Sequence, residues 1–134
     1  MDNIREYFKR DALAAHLGIE LVDVSPGCCV ARMQVEDCHF NPFGTVHGAA
    51  LFALADFAFA AAANSHGSIA VALSANILFT KPGGRGTLTA EAEEVARSKR
   101  IATYAIKVTD EGGDTVAVFQ GTVYRKGEPI PETG

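Results

Sequence analysis

The chain has 134 residues, of which 48% are hydrophobic and 21% charged, with a formal net charge of −4. That length suits one domain spanning 1–134, large enough for one core. The negative balance gives nucleic acid or an anionic membrane no general attraction, so neither is an expected partner.

No basic, apolar, small-residue leader opens the chain, so no signal peptide is expected. Residues 3–15 predict one short helix, with Ile4, Tyr7, Phe8, Ala12 and Ala15 near helical spacing and Leu17-Gly18 ending it. Residues 19–25 read as a strand, Pro26-Gly27 as a turn, and 28–36 as the antiparallel partner. Three cysteines stand at 28, 29 and 38. An odd count with two adjacent is a poor disulfide framework, and without Cys-x-x-Cys a zinc site has little support. A reducing, cytoplasmic setting without metal is expected.

Asn41-Pro42-Phe43-Gly44 suits a type I turn, and Thr45 is then placed to cap a helix. That helix runs from Gly48 toward Asn64 and is rich in alanine. It is shorter than the ~20 apolar residues of a membrane span and is charged at its centre, so it reads as a buried helix. Asn64-Ser65-His66-Gly67 ends it, with Gly67 suited to a left-handed cap. Residues 69–79 are nearly all apolar and predict a strand buried on both faces. Pro82-Gly83-Gly84 breaks it. Further strands are expected at 87–96, 101–109 and 115–124, the last two joined by a hairpin turn at Glu111-Gly112-Gly113-Asp114.

Short helix, two strands, long helix, four strands is an α+β order. A helix apolar around its circumference must be surrounded, and one antiparallel sheet curled around it does this. Nine alanines between 49 and 63 let the sheet approach closely. One sheet covers only part of such a helix, so a second subunit is expected to cover the rest.

Between Asp37 and Glu91 the only acidic side chain is Asp56, in the middle of this apolar run. An unpartnered buried carboxylate costs several kcal/mol or is driven toward its neutral form. A fold that keeps one either pairs it at an interface or uses it as a base or nucleophile. His47 lies nine residues earlier, about 900° of helical rotation, which is half a turn out of phase and ~13 Å along the axis. The two are unrelated, or Asp56 meets His47 of a neighbouring subunit at a two-fold interface. Gly48 and Ala49 sit where free N–H groups end a helix, either as a plain start or as an oxyanion hole for a thioester. His47 reads as a residue that fixes the turn by hydrogen bonding rather than as a base, and Asn41 as a turn former or a group that holds a carbonyl or water. His16, His39 and His66 are expected to be structural. Cys38 beside His39 is rejected as a nucleophile pair, because neighbours on a strand face opposite ways.

Arg97, Lys99 and Arg100 crowd one turn, and Lys81 and Arg85 lie in another loop. These are either solvated loop tips or contacts for the phosphates of coenzyme A. Phe40, Phe43, Phe57 and Phe59 are either core or the lining of an aromatic pocket.

The pattern resembles hot-dog-fold acyl-CoA thioesterases of the phenylacetate-degradation (PaaI-type) group. The matching residues are Asn41, His47-Gly48, Leu54-Ala55-Asp56, Asn64-Ser65, and Ser74 within Val71–Phe79. Gly86 through Ala92, Arg97 through Tyr104 and Val116 through Arg125 also match, so about residues 12–126 are covered. The resemblance implies a sheet wrapped around one helix and hydrolysis of an aryl- or medium-chain acyl-CoA without a cofactor. In that reading Asp56 activates water or attacks the thioester, and the Gly48 N–H polarises its carbonyl. His47 and Asn41 orient the substrate, and Ser74 positions the water. Asp56 and Ser74 would come from the subunit opposite His47, in a dimer or a dimer of dimers. The group often has His-Gly-Gly where this chain has His47-Gly48-Ala49, a departure that bears on substrate choice. The alternatives are an enoyl-CoA hydratase or dehydratase of the same fold and a non-catalytic acyl-CoA-binding module.

Overall fold

The computed structural model describes residues 1–132. Two short helices come first, α1 (Asp2–Phe8) and α2 (Ala12–Leu17). One helix over 3–15 was expected. It breaks because the Asp11 side chain accepts the Ala14 N–H at 3.0 Å and restarts the helix as a cap. Gly18 closes α2 in the left-handed conformation, φ 77°. Strands β1 (Ile19–Ser25) and β2 (Cys28–Gln34) form the first hairpin. A 3₁₀ turn at Asp37–His39 follows, where the strand was expected to reach 36. It still turns Cys38 outward and His39 inward.

Helix α3 (Gly48–Asn64) leads to β3 (Ser68–Phe79), β4 (Thr87–Arg97), β5 (Ile101–Thr109) and β6 (Thr115–Pro129). The six strands form one antiparallel sheet in the order β1-β2-β4-β5-β6-β3. The sheet curls around α3, as the α+β reading predicts. Ala55, Ala58, Ala61 and Ala62 are fully buried beneath it. Small side chains here let the sheet close on the helix at interior packing density. At Gly121 of β6 an added Cβ would stand 2.6 Å from the Phe59 ring, so only glycine lets that ring lie flat on the strand. Phe59 also packs against Phe119 and Tyr104, at centroid distances of 5.5 and 5.8 Å. Phe59 is therefore core, and so is Phe57, which meets Phe8 of α1 edge-on at 5.9 Å.

The expectation for β3 is overturned within the chain. It is the edge strand, paired only with β6, and Leu73 and Leu78 are 58% and 63% exposed. The apolar run reports a surface that must be covered; it does not say by whom. Helix α3 also keeps a bare stripe, formed by Ala49, Phe52, Ala53, Asp56 and Ala60. These positions recur every three or four residues, so they share one face. Phe79 of β3 touches Gly48, and Phe52 meets Phe119 of β6, the strand beside β3. The bare stripe therefore adjoins the bare strand. No helix among the described residues is long and apolar enough to cross a membrane.

Candidate active site

The loop before α3 is built by Asn41. Its Oδ1 accepts the N–H groups of Phe43 and Thr45 at 3.0 and 3.1 Å, and its Nδ2 donates to Thr45 Oγ1 at 2.9 Å. Its carbonyl accepts the Gly44 N–H at 3.1 Å, closing the turn. Thr45 is thus bound to Asn41 and does not cap the helix. His47 does: its Nδ1 accepts the Ala49 N–H at 3.0 Å. A residue with a ring-nitrogen acceptor in extended conformation can fill the capping role that a hydroxyl fills elsewhere.

His39 holds this loop from beneath. Its ring is buried, with Nδ1 accepting the Glu36 N–H at 2.9 Å and Nε2 donating to the Leu17 carbonyl at 2.8 Å. Its own carbonyl accepts the His47 N–H at 2.7 Å. His39→Leu leaves the part-buried Glu36 N–H and Leu17 carbonyl without their partner, so we expect a loss of about 1–3 kcal/mol of stability. Urea unfolding at matched protein concentration checks this; a midpoint equal to that of the parent protein would remove the role.

The first turn of α3 now has one amide to spare. Ala49 is bound to His47 Nδ1, and Ala50 and Leu51 donate to the His47 carbonyl at 2.9 and 3.2 Å. The Gly48 N–H has no acceptor among the described residues. The sequence reading offered two free amides, at 48 and 49, and the cap consumes the second. Gly48 lines a cleft of about 450 Å³ together with Asn41, Thr45, Leu51, Phe79 and Lys81. A Cβ on Gly48 would stand 3.0 Å from Phe79 Cζ, so the glycine lets the aromatic ring wall the cleft. The sequence reading missed Phe79; its signal was an aromatic ending an otherwise aliphatic strand. A larger groove of about 660 Å³ lies on the outer face of the sheet, around Glu91, Glu93, Lys107 and Gln120. It has no helix terminus, so the smaller cleft is the candidate site.

Asp56 is half-buried and has no hydrogen-bond or ion-pair partner among the described residues. Burial pushes its carboxyl above the usual range, and the charge of Asp11 pushes it further. It does not line the Gly48 cleft. Eight residues of helix put it ~12 Å along the axis from Gly48. Ser74 lies exposed on β3, opposite Thr122 and next to a register shift, and its hydroxyl is unpaired among the described residues. One chain therefore unites Asn41, His47 and Gly48 but not Asp56 with them.

The cations divide as well. Lys81 donates to Asp110 and Asp114 at 2.9 and 2.7 Å, and these bonds raise its ammonium above the ordinary lysine range. Arg97 faces Glu94 at 3.4 Å, and Arg100 donates to the carbonyls of Arg125 and Lys126, each at 3.1 Å. Lys99 stands in the same turn, at the other end of β4 from Lys81. From Thr89 to Arg97 the strand spans ~27 Å. Within one chain the two groups do not converge.

The far end of α3 is welded to the sheet. Ser65 Oγ donates to the Ala62 carbonyl and accepts the Gly27 N–H, at 2.6 and 2.7 Å. His66 and Tyr104 both reach Glu94 Oε1, at 2.8 and 2.7 Å. Partial burial works to raise the Glu94 carboxyl. The hydrogen bonds of Tyr104 and His66, with the charges of His66 and Arg97, outweigh it and leave the group below its usual range.

One curled antiparallel sheet around a single helix, with a spare amide at the helix start beside a cleft, is the hot-dog architecture of thioester enzymes. The profile described as the thioesterase superfamily matches residues 43–127. The chain is 39% identical to acyl-coenzyme A thioesterase PaaI of Escherichia coli strain K12, over 96% of this chain and 92% of that one. The solved structure of the E. coli PaaI protein from the phenylacetic acid degradation operon superposes with a TM-score of 0.93, at 38% identity, covering 97% of this chain and 95% of that one. A hypothetical thioesterase of Streptococcus pneumoniae TIGR4, solved with coenzyme A, gives a TM-score of 0.86 at 25% identity, over 93% and 98% of the two chains. This protein belongs to the thioesterase superfamily, is similar to its PaaI-type members, and is an enzyme.

Proposed function

We propose that the protein hydrolyses the thioester of an aryl- or medium-chain acyl-CoA, in a site completed by a second copy of the chain. The observation that carries this reading is the polar inventory of α3. Asn64 is satisfied by Ala60 and Ala70. The Gly48 N–H and the Asp56 carboxylate are left without partners among the described residues. One is a donor suited to an oxyanion, the other a base or nucleophile, and both lie on surface that a partner would cover.

In the partner arrangement, Asp56 of one subunit faces the Gly48 cleft of the other. Asp56 takes a proton from water as the oxygen bonds to the thioester carbon, or attacks that carbon itself to give an acyl–Asp56 anhydride that water then hydrolyses to the free acid. Negative charge moves to the carbonyl oxygen, where the Gly48 N–H receives it. Collapse breaks the C–S bond, and CoA leaves as the thiol after protonation. Ser74, exposed on the bare edge strand, is assigned to the water. His47 contributes by holding the helix start, and Asn41 by holding the loop. Lys81, Arg97, Lys99 and Arg100 are candidates for the CoA phosphates, with Lys81 at the cleft itself. No metal or cofactor is assigned, and a cytoplasmic setting suits the three free thiols.

A dimer at minimum, and a dimer of dimers in full, is the proposed assembly. A hydratase reading would need His47 as an acid–base group beside Asp56; its Nδ1 is committed to Ala49, which leaves Nε2 alone for that work. Thiol release should therefore appear across a panel of saturated and aryl acyl-CoAs. With crotonyl-CoA, any loss of enoyl absorbance should be accompanied by thiol. Loss of absorbance without thiol would favour hydration. Tight binding with no thiol release anywhere in the panel would favour a binding module.

A further inference from the structure

Residues 79–83 cross the chain where α3 begins and touch it at both ends. A Cβ on Gly48 would meet Phe79 Cζ at 3.0 Å, and the Gly83 carbonyl accepts the Val46 N–H at 2.9 Å. Lys81 is the middle residue of this span and lines the Gly48 cleft. Two residues of chain separate it from either contact, at most about 7 Å. Beyond Phe79 the segment stays tied to β6. The Thr80 N–H donates to the Val116 carbonyl at 3.0 Å, and Thr80 Oγ1 donates to the Thr115 carbonyl at 2.9 Å. That course brings Lys81 to the β5–β6 turn, where Nζ donates to Asp110 Oδ2 at 2.9 Å and to Asp114 Oδ2 at 2.7 Å. The turn is closed by the Asp110 N–H on the Asp114 carbonyl, at 2.9 Å, and by the Asp114 N–H on Asp110 Oδ1, at 3.0 Å. The ammonium is thus held by a braced pair of carboxylates.

We propose that Lys81, held by Asp110 and Asp114, binds the pantetheine arm of the acyl-CoA, its third N–H donating to an amide carbonyl of the arm. This deepens the proposed function and rests on the thioester carbonyl lying at the Gly48 N–H. It takes Lys81 out of the candidates for the phosphates and leaves Arg97, Lys99 and Arg100 there.

Charge and distance both separate the arm from the phosphates. An ammonium has three N–H donors, and two are spent on Asp110 and Asp114. One positive and two negative charges stand together there. Their net negative balance repels a phosphate, while the third N–H remains a charged donor for a neutral carbonyl. The other cation of the loop does not relieve that balance: Arg85 pairs with Asp37 and lies over the Phe40 ring at 4.7 Å. Glu111 of the same turn accepts the Thr87 N–H at 2.9 Å and adds a further negative charge. Distance acts in the same direction. At the length per bond of an extended peptide chain, the first amide carbon of the arm lies ~5 Å from the thioester sulfur and the first phosphorus ~15 Å. A residue one short span from Gly48 meets the amides, and the phosphates lie beyond it.

Lys81→Met removes the donor and keeps most of the stem. Thiol release is compared in parent and variant with one acyl group on three carriers: CoA, pantetheine and butanethiol. Pantetheine lacks the phosphates, and butanethiol lacks the amides as well. In the variant, kcat/KM should fall about tenfold with CoA and by the same factor with pantetheine, the scale of one hydrogen bond from a charged donor. With butanethiol the gap between parent and variant should close. A loss confined to the CoA thioester would return Lys81 to the phosphates and overturn the proposal. An equal loss on all three carriers, or a loss on none, would overturn it as well. Unreactive S-hexyl thioethers of CoA and pantetheine, titrated by calorimetry, probe the same contact without turnover, and both Kd values should rise by one factor in the variant. A parent protein that releases no thiol from any carrier would sink the hydrolytic reading; the thioether titration would still decide the contact.

Discussion

Replacing Asp56 by Asn is expected to lower thiol release from acyl-CoA at least ~100-fold, the low end for a positioned base. Asn has the same shape and half-buried cost but accepts no proton and makes a poor nucleophile. The fold should therefore persist while kcat falls. Near-parental turnover would sink the role. The pH dependence follows from the direction of the shift. Burial, then Asp11, hold the Asp56 carboxyl above its usual range. The ionised form is the active one, so activity is full above that raised value and is lost as pH falls through it. The acid limb should consequently sit at higher pH than an exposed aspartate would give, and it should vanish from whatever rate Asp56→Asn retains. A profile with its limb in the ordinary carboxylate range would place the working base elsewhere.

Gly48→Pro is expected to lower turnover by about 10²–10³-fold, the effect of removing one oxyanion donor. Proline is favoured at the first position of a helix, where its missing N–H breaks no helical bond. His47, with φ −60° and ψ 135°, already has the extended conformation that a following proline requires. The substitution thus deletes the spare amide and keeps the helix start. Its ring does press on Phe79, which would meet a Cβ at 3.0 Å. Gly48→Ala supplies the control, since it adds the Cβ and keeps the amide. Phe79 is half exposed and can yield, so the alanine variant should retain far more activity than the proline variant. Equal losses in both would assign the effect to the cleft wall rather than to the N–H.

The two substitutions together report on where each site is assembled. If Asp56 and Gly48 of one site come from different subunits, a hybrid of Asp56→Asn with Gly48→Pro has one intact site. Random reassortment makes half the dimers hybrid, so the mixture should recover about a quarter of the parent rate from two nearly inactive proteins. No recovery in a mixture shown by native mass spectrometry to contain hybrids would put both groups in one subunit.

Much of this architecture was legible in the residues. Apolar spacing located α3 and all six strands, because a sheet needs alternation and a buried helix needs an apolar circumference. The failures have local causes. The first helix was read through its break because Asp11 counts as a polar residue in a pattern, while in space its side chain satisfies an amide and starts a new helix. Thr45 looked like the cap because hydroxyl residues usually fill that place; the side chain of Asn41 had already bound it. The partners of His39 are Leu17 and Glu36, and only the fold brings the first of them near. Phe57 and Phe59 were open between pocket and core until Gly121, 62 residues beyond Phe59 in sequence, proved to be the platform for one ring.

By itself, the order of residues determined that a small-side-chain helix would be wrapped by an antiparallel sheet, and that Asp56 and Gly48 would lie far apart along that helix. Those are consequences of periodicity and rise per residue, which any reader of the chain can compute. Only the tertiary structure decided which amide is left over at the helix start and which strand stands bare at the sheet edge. Each of these depends on groups distant in sequence competing for the same hydrogen bond or the same surface, and that competition is settled only when the chain is packed.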